Sequence, residues 1–290
     1  MHLGTMVLAA AALALAADAP AVAQTVVESV QMPAWLDRGG ELRPLAIGSE
    51  VKNGDTLRIG AAGRAYLKLG DGSTVKLGSG ASLRYYSLSL RPQRHFRAAL
   101  DVVAGAFRFT TAAVQRVGGD RDLNIRVGTI TAGIRGTDVW GKSDAERDLV
   151  CLIEGHVELR HRGETTDLDQ ALAYAAAPKG AAALGVDRVD PDQLQRWARE
   201  TEVLPGDGAV RRGGRWKLLL ASLELETQAL ALYDRAREAG FAVKIRPRSG
   251  GAAGKWIYDV QIEQLASEQE ALVLADRLYA DTALQATARR

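Results

Sequence analysis

The sequence has one cysteine, Cys151, in 290 residues. A single thiol closes no intramolecular disulfide. Cys151 sits in the run Leu149-Val150-Cys151-Leu152-Ile153, which reads as a buried strand with a core thiol. A nucleophilic cysteine needs a nearby base and an electropositive setting, and nothing local supplies them. Excess charge is also missing: 37 basic side chains face 35 acidic ones. With no basic surplus and no basic-aromatic motif, nucleic acid is excluded as a partner. Histidine is sparse. His156 and His161 lie five apart, an odd offset that puts them on opposite faces of a strand, and His95 is isolated. None has metal-ligand spacing, and no G-x-S-x-G, H-E-x-x-H or phosphate loop occurs. The reading is therefore a protein without catalytic residues, metal or cofactor. Beyond the N-terminus, no apolar run reaches the roughly 20 residues that span a bilayer as a helix.

What is present begins with a leader. Met6 to Ala17 is unbroken apolar sequence, too short for a transmembrane helix. Ala21-Val22-Ala23 fits the A-x-A pattern of a signal-peptidase site. Residues 1–23 read as a signal peptide cleaved near Ala23. No cysteine follows to carry a lipid. The expectation is a periplasmic protein with no transmembrane span in the mature chain.

From 41 to 174 the texture is all-β. Ala65, Leu67 and Leu69 alternate with Arg64, Tyr66 and Lys68. Asp71-Gly72 makes a hairpin turn before Val75 and Leu77 resume the alternation. Phe107 and Phe109, then Leu123, Ile125 and Val127, then Val157 and Leu159 continue it. Short strands with glycine turns predict a β-sandwich or a β-solenoid. Four stretches in order resemble the FecR domain. They are Val51 to Leu57 with Gly54-Asp55, Ala65 to Leu77 with Asp71-Gly72-Ser73, Thr131 to Asp138 with Arg135-Gly136-Thr137, and Val150 to Leu159 with Glu154-Gly155. The resemblance implies a periplasmic sensory or ligand-binding module, here with an unknown ligand or partner.

Arg135, Thr137 and Asp138 are the candidate residues of that module. Arg135 either contacts a carboxylate-bearing ligand or partner, or is buried and ties strand backbone or Asp138 in place. The basic run Arg91, Arg94, His95 and Arg97 reads as a solvated face.

Residues 175–213 read as a linker with a short helix. Ala175 to Gly185 is rich in Ala and Gly. Asp190 can cap the helix, Pro191 suits its first position, and Leu194 and Trp197 give it an apolar face.

Residues 214–288 contain a half-repeat. Leu218, Leu220 and Leu223 recur at an offset of 42 as Val260, Ile262 and Leu265, and Ala229, Leu232 and Ala236 as Ala271, Leu274 and Leu278. Each half reads as a strand followed by an amphipathic helix. Gly240 ends the first helix. Ser267 and Glu270 form a capping box on the second. The expected fold is α+β: βαββαβ, an antiparallel sheet with two helices on one face and the other face open. Trp216 to Leu223, Ala239-Gly240-Phe241 and Tyr258 to Ile262 resemble the SPOR domain. That resemblance implies binding to peptidoglycan glycan strands on the open face. Strand alternation predicts Leu219, Ala221, Asp259, Gln261 and Glu263 on that face. Trp216, Lys217, Ser222, Trp256 and Gln261 are the candidate glycan contacts, with each tryptophan either stacking on sugar or closing a core edge. The family prefers Gln where Leu219 stands, and Arg and Gly where the acids Asp259 and Glu263 stand, so an envelope protein is the alternative partner of this altered face.

Overall fold

A computed structural model describes residues 24–87, 95–112, 120–250 and 255–290. The signal-peptide expectation, and Arg91 and Arg94 of the basic run, lie outside the described residues.

Among the described residues the β-rich part has fourteen strands: β1 (Val26–Gln31), β2 (Ala34–Arg38), β3 (Glu41–Pro44), β4 (Thr56–Ile59), β5 (Arg64–Lys68), β6 (Thr74–Leu77), β7 (Ser82–Ser87), β8 (His95–Thr110), β9 (Asp120–Val127), β10 (Ile130–Ser143), β11 (Arg147–His161), β12 (Glu164–Leu168), β13 (Ala173–Pro178) and β14 (Gly185–Arg188). Three of them, β8, β10 and β11, are long enough to pair with different neighbours at their two ends. At one end Phe107 and Phe109 of β8 face Leu77 and Val75 of β6 on one side and Gly141 and Val139 of β10 on the other. At the other end Leu83 of β7 faces Val102 of β8, and Ile125 of β9 faces Ala132 of β10. The two layers share one core, in which Leu57, Leu67, Val75, Leu83, Leu100, Phe107, Phe109, Ile125, Val139 and Leu152 are all buried. Pairing is antiparallel throughout except between β8 and β9 among the described residues. A solenoid stacks parallel coils, so this pairing is that of a sandwich.

The sheet starts earlier than the predicted 41–174. Val26–Gln31 pairs with β5, and Ala34–Arg38 pairs with β3 and β4. It also ends later. The stretch 175–213, expected as a linker, carries the end of β13, then β14, helix α1 (Pro191–Thr201) and β15 (Ala209–Arg211). Asp190 caps α1 by accepting from the Gln193 N–H at 2.8 Å, with Pro191 in the first turn. Trp197 anchors it: its ring stacks on Trp140 of β10 at 5.1 Å and meets the edge of Tyr174 of β13 at 5.8 Å. The Ala/Gly composition signalled flexibility, but Ala175 and Ala177 are buried, where small side chains let β13 lie close to the core.

The C-terminal part runs β16 (Trp216–Leu223), α2 (Glu226–Glu238), β17 (Lys244–Ser249), β18 (Trp256–Leu265), α3 (Glu268–Thr282) and β19 (Thr287–Arg289). The strands pair antiparallel in the order β17-β18-β16-β19. Leu218, Val260, Ile262 and Leu265 meet Ala229 and Ala236 of α2 and Ala271, Leu274 and Leu278 of α3 in the core. Gly240 ends α2 at φ +86°, while the Phe241 N–H reaches the Ala236 carbonyl at 3.0 Å.

The parts are stitched together. β15 pairs with β1, and Val210 of β15 also faces Leu265 of β18. The Ala34 N–H donates to the Gly240 carbonyl at 3.2 Å, and Trp35 Nε1 donates to the Glu238 carbonyl at 3.4 Å. Arg277 of α3 donates to the carbonyls of Met32 and Asp207. Half of the predicted capping box forms: Ser267 Oγ accepts from the Glu270 N–H. The Glu270 carboxylate does not turn back to its own helix. It accepts from the backbone N–H groups of Gly206, Gly208 and Ala209 and so holds the segment before β15.

Candidate functional site

Two surfaces collect the candidate residues. The first is the outer face of the β-sandwich, where the Arg135-Gly136-Thr137 stretch meets Glu154-Gly155. Between Arg135 and Asp138 the register of β10 against β11 shifts, forming a bulge. Gly155 is at φ +94°, and a Cβ there would come within 2.6 Å of the Gly136 carbonyl oxygen, so the two motif glycines are a matched pair.

The bulge separates the three candidates. Arg135 is exposed, and its side chain makes no hydrogen bond or ion pair among the described residues. The reading of a buried arginine tied to Asp138 is therefore corrected: the bulge turns Arg135 outward. Thr137 is buried, and its backbone exchanges hydrogen bonds with Thr111. Asp138 is buried and takes a bidentate pair from Arg108 of β8, at 2.9 and 2.8 Å.

Arg108 belongs to no motif, and its only mark in the sequence is its place on the strand that pairs with the motif strand. It also reaches Glu202, just past α1, at 3.2 Å. Glu202 gathers Lys76 Nζ at 2.6 Å and the Tyr66 hydroxyl at 2.8 Å. Burial works against its ionisation, but hydrogen bonds from Lys76 and Tyr66 outweigh this and hold its pKa below the usual carboxylate value. Tyr66 is pushed up to about 12, by burial first. Beside this network, Lys142 pairs with Glu200 of α1 at 2.9 Å.

Two further buried acids also end in structural pairs. Asp55 takes Arg38 at 2.8 and 2.5 Å. Fully buried Asp148 takes Lys179 and Ser143 Oγ. Ser143 and Lys179 approach to 3.3 Å, the separation of a serine–lysine pair. The ammonium is committed to Asp148, however, and donates to the hydroxyl instead of accepting its proton. Cys151 is buried, and desolvation pushes its thiol up to about 12, the opposite of activation. Among the described residues no group of His, Cys, Asp and Glu could hold a metal ion, and no helix is long and apolar enough to cross a membrane.

The second surface is the open face of β17-β18-β16-β19. A bulge at Leu220 changes the predicted alternation of β16. Leu219 faces Gln261 on the open side, but Ala221 faces Val260 and belongs to the helix side, correcting its placement. Ser222 then faces Asp259 and donates to it at 2.6 Å. Lys217, opposite Arg289, shares the open face. Gln261 lies there too, buried beneath its neighbours, with its amide donating to Glu263 at 2.9 Å. The two tryptophans do not join them. Trp216 pairs with buried Leu265 and packs against the core. Trp256 is in phase with Tyr258 and Val260, on the helix side, and is exposed at the end of β18.

The acids that looked out of place for a glycan surface have partners on β17. Glu263 accepts from Arg246 at 2.6 and 2.7 Å and from Lys244 at 3.1 Å, and the Arg246 bond above all draws its pKa down to about 2. Asp259 accepts from Arg248 at 2.8 Å. The open face thus carries Lys217, Lys244, Arg246, Arg248 and Arg289 against Asp259 and Glu263, a net cationic surface.

Residues 55–158 match the family model described as FecR protein, which identifies a FecR domain within the β-sandwich. The match opens on the Arg38-bound Asp55 and includes the Arg135 bulge. No curated protein matches the chain. Two crystal structures of a proposed anti-sigma factor from Parabacteroides distasonis ATCC 8503, at 1.65 and 2.50 Å resolution, are similar at 12% identity and a TM-score of 0.42. Each comparison covers 81% of this chain and 98% of the other. Likeness at that level supports no functional argument.

Proposed function

We propose that this chain is a non-catalytic, exported protein of the cell envelope, whose SPOR-like C-terminal module binds peptidoglycan glycan strands while the FecR domain binds a ligand or partner. The observation that carries the glycan reading is the cationic excess of the open sheet face. Glycan stripped of stem peptides exposes the carboxylates of its muramic acid units, and a row of lysine and arginine suits them. With Trp216 and Trp256 on the other side, recognition rests on charge and hydrogen bonding rather than ring stacking. The decisive test is co-sedimentation of the mature protein with purified sacculi. More protein should pellet with amidase-treated sacculi than with untreated ones. Lys217→Ala with Arg289→Ala, which break no carboxylate pair, should reduce it. No pelleting with either preparation overturns the glycan reading.

A second reading is a scaffold for another envelope protein. It is motivated by Asp259 and Glu263, already neutralised by β17, and by Leu219 between them. It predicts a defined protein partner that survives muramidase digestion in a pull-down.

A further inference from the structure

At the β10–β11 hairpin end of the sandwich, α1 and the sheet enclose a small opening of about 50 Å³, walled by Trp140, Lys142, Asp144, Arg147, Leu149 and Trp197. That is room for more than one water molecule, each of which needs roughly 10–15 Å³. Trp140 is 1% exposed, yet its indole N–H is buried without a hydrogen-bond partner among the described residues. A buried donor left without a partner is costly, so such a group signals something that completes it. Two cations, Arg147 and Lys142, stand against one acid, Asp144, in its wall. Arg147 is exposed, and its guanidinium makes no hydrogen bond or ion pair among the described residues. Lys142 gives one contact to Glu200 and keeps donors to spare. Among the described residues Asp144 is the one acid in the wall; its Oδ1 is occupied by the N–H groups of Glu146 and Arg147, both at 2.9 Å, and these bonds first, then the charges of Lys142 and Arg147, hold its pKa below the usual carboxylate value.

We propose that this opening is a subsite for a carboxylate, seated between the Arg147 guanidinium, the Lys142 ammonium and the Trp140 indole N–H. The stacked tryptophans and Leu149 supply an apolar wall for the short carbon chain behind it. Since Trp197 belongs to α1, a bound carboxylate also clamps α1 to the FecR domain. The inference deepens the reading that this domain takes a ligand, and it is independent of cell-wall binding by the C-terminal module.

The test is an acetate titration of the full mature chain followed by the five indole N–H signals of a ¹⁵N spectrum, at ionic strength matched with sodium chloride. The Trp140 signal is identified as the one lost in Trp140→Phe. Acetate should move it saturably, and uncharged acetamide should not. Arg147→Gln, a change at an exposed side chain, should weaken binding about tenfold or more. N-acetylglycine separates the two sources of such a group. Binding tighter than acetate points to the carboxylate end of a peptide, and weaker binding to a free short-chain acid; either supports the subsite. No saturable shift, an equal shift with acetamide, or unchanged affinity in Arg147→Gln overturns it. Sacculus pelleting read in parallel separates this outcome from that of the glycan reading.

Discussion

Trp197 of α1 lies flat on Trp140 of β10, with ring planes only 6° apart. The stack fastens the one helix between the two parts of the chain to the outer face of the FecR domain. Trp197→Ala removes it together with the Tyr174 edge contact. We predict a loss of about 2–3 kcal/mol, below the cost of a fully buried aromatic because Trp197 is half-buried. Urea denaturation checks this, and Trp197→Phe should recover part of the loss.

Acid should unfold the protein through its paired carboxylates. Asp55, Asp148, Glu202 and Glu263 are all held below their ordinary values in the folded state. A depressed folded pKa means that the unfolded chain takes up protons first. The stabilisation is complete above the ordinary values and is lost as pH falls from 4.5 toward about 2, where Glu263 titrates. Urea midpoints measured across that range should fall steeply. Glu202→Gln should lower stability at neutral pH by about 2 kcal/mol and flatten the acid slope.

Glu270→Ala should cost about 3 kcal/mol, because it strips the acceptor from three backbone N–H groups at once. Hydrogen exchange is the specific readout. The amides of Gly206, Gly208 and Ala209 should lose protection before those of β18.

Gly240→Ala should destabilise by about 2 kcal/mol or more, since alanine resists a positive φ and its Cβ would lie 2.6 Å from the Trp35 ring. Trp35→Ala in the same chain should relieve the clash with the ring but neither the 2.9 Å contact with Pro33 nor the backbone share, a coupling that a double-mutant cycle measures.

Cys151 should stay unreactive toward thiol reagents at pH 8 until the protein unfolds, and then react fully. Labelling of the native state would contradict its burial.

Much of the β texture was legible because burial on one face imposes a period of two, as at Ala65, Leu67, Val75 and Leu77. Both C-terminal helices were legible from their apolar spacing. The bulges were not. One extra residue at Leu220 leaves the hydrophobic pattern almost intact yet moves Ala221 to the other face, and the bulge before Asp138 turned an expected buried arginine outward. Long-range pairs were equally silent. Nothing local in the sequence marks Arg108 as the partner of Asp138, or Glu270 as the holder of a loop about sixty residues earlier, because such pairs depend on register between distant strands. The 175–213 stretch misled for a simpler reason: alanine and glycine suit a close-packed strand as well as a flexible joint.

β1 lies between β5 and β15, with Ser29 opposite Arg211. A ribosome delivers the first of these strands long before the last. Until Ala209–Arg211 emerges, one side of Ser29–Gln31 presents bare N–H and C=O groups, an open template for pairing with other chains. The molecule therefore closes late, and a nascent chain halted before residue 209 should be sticky in proportion to the time it waits.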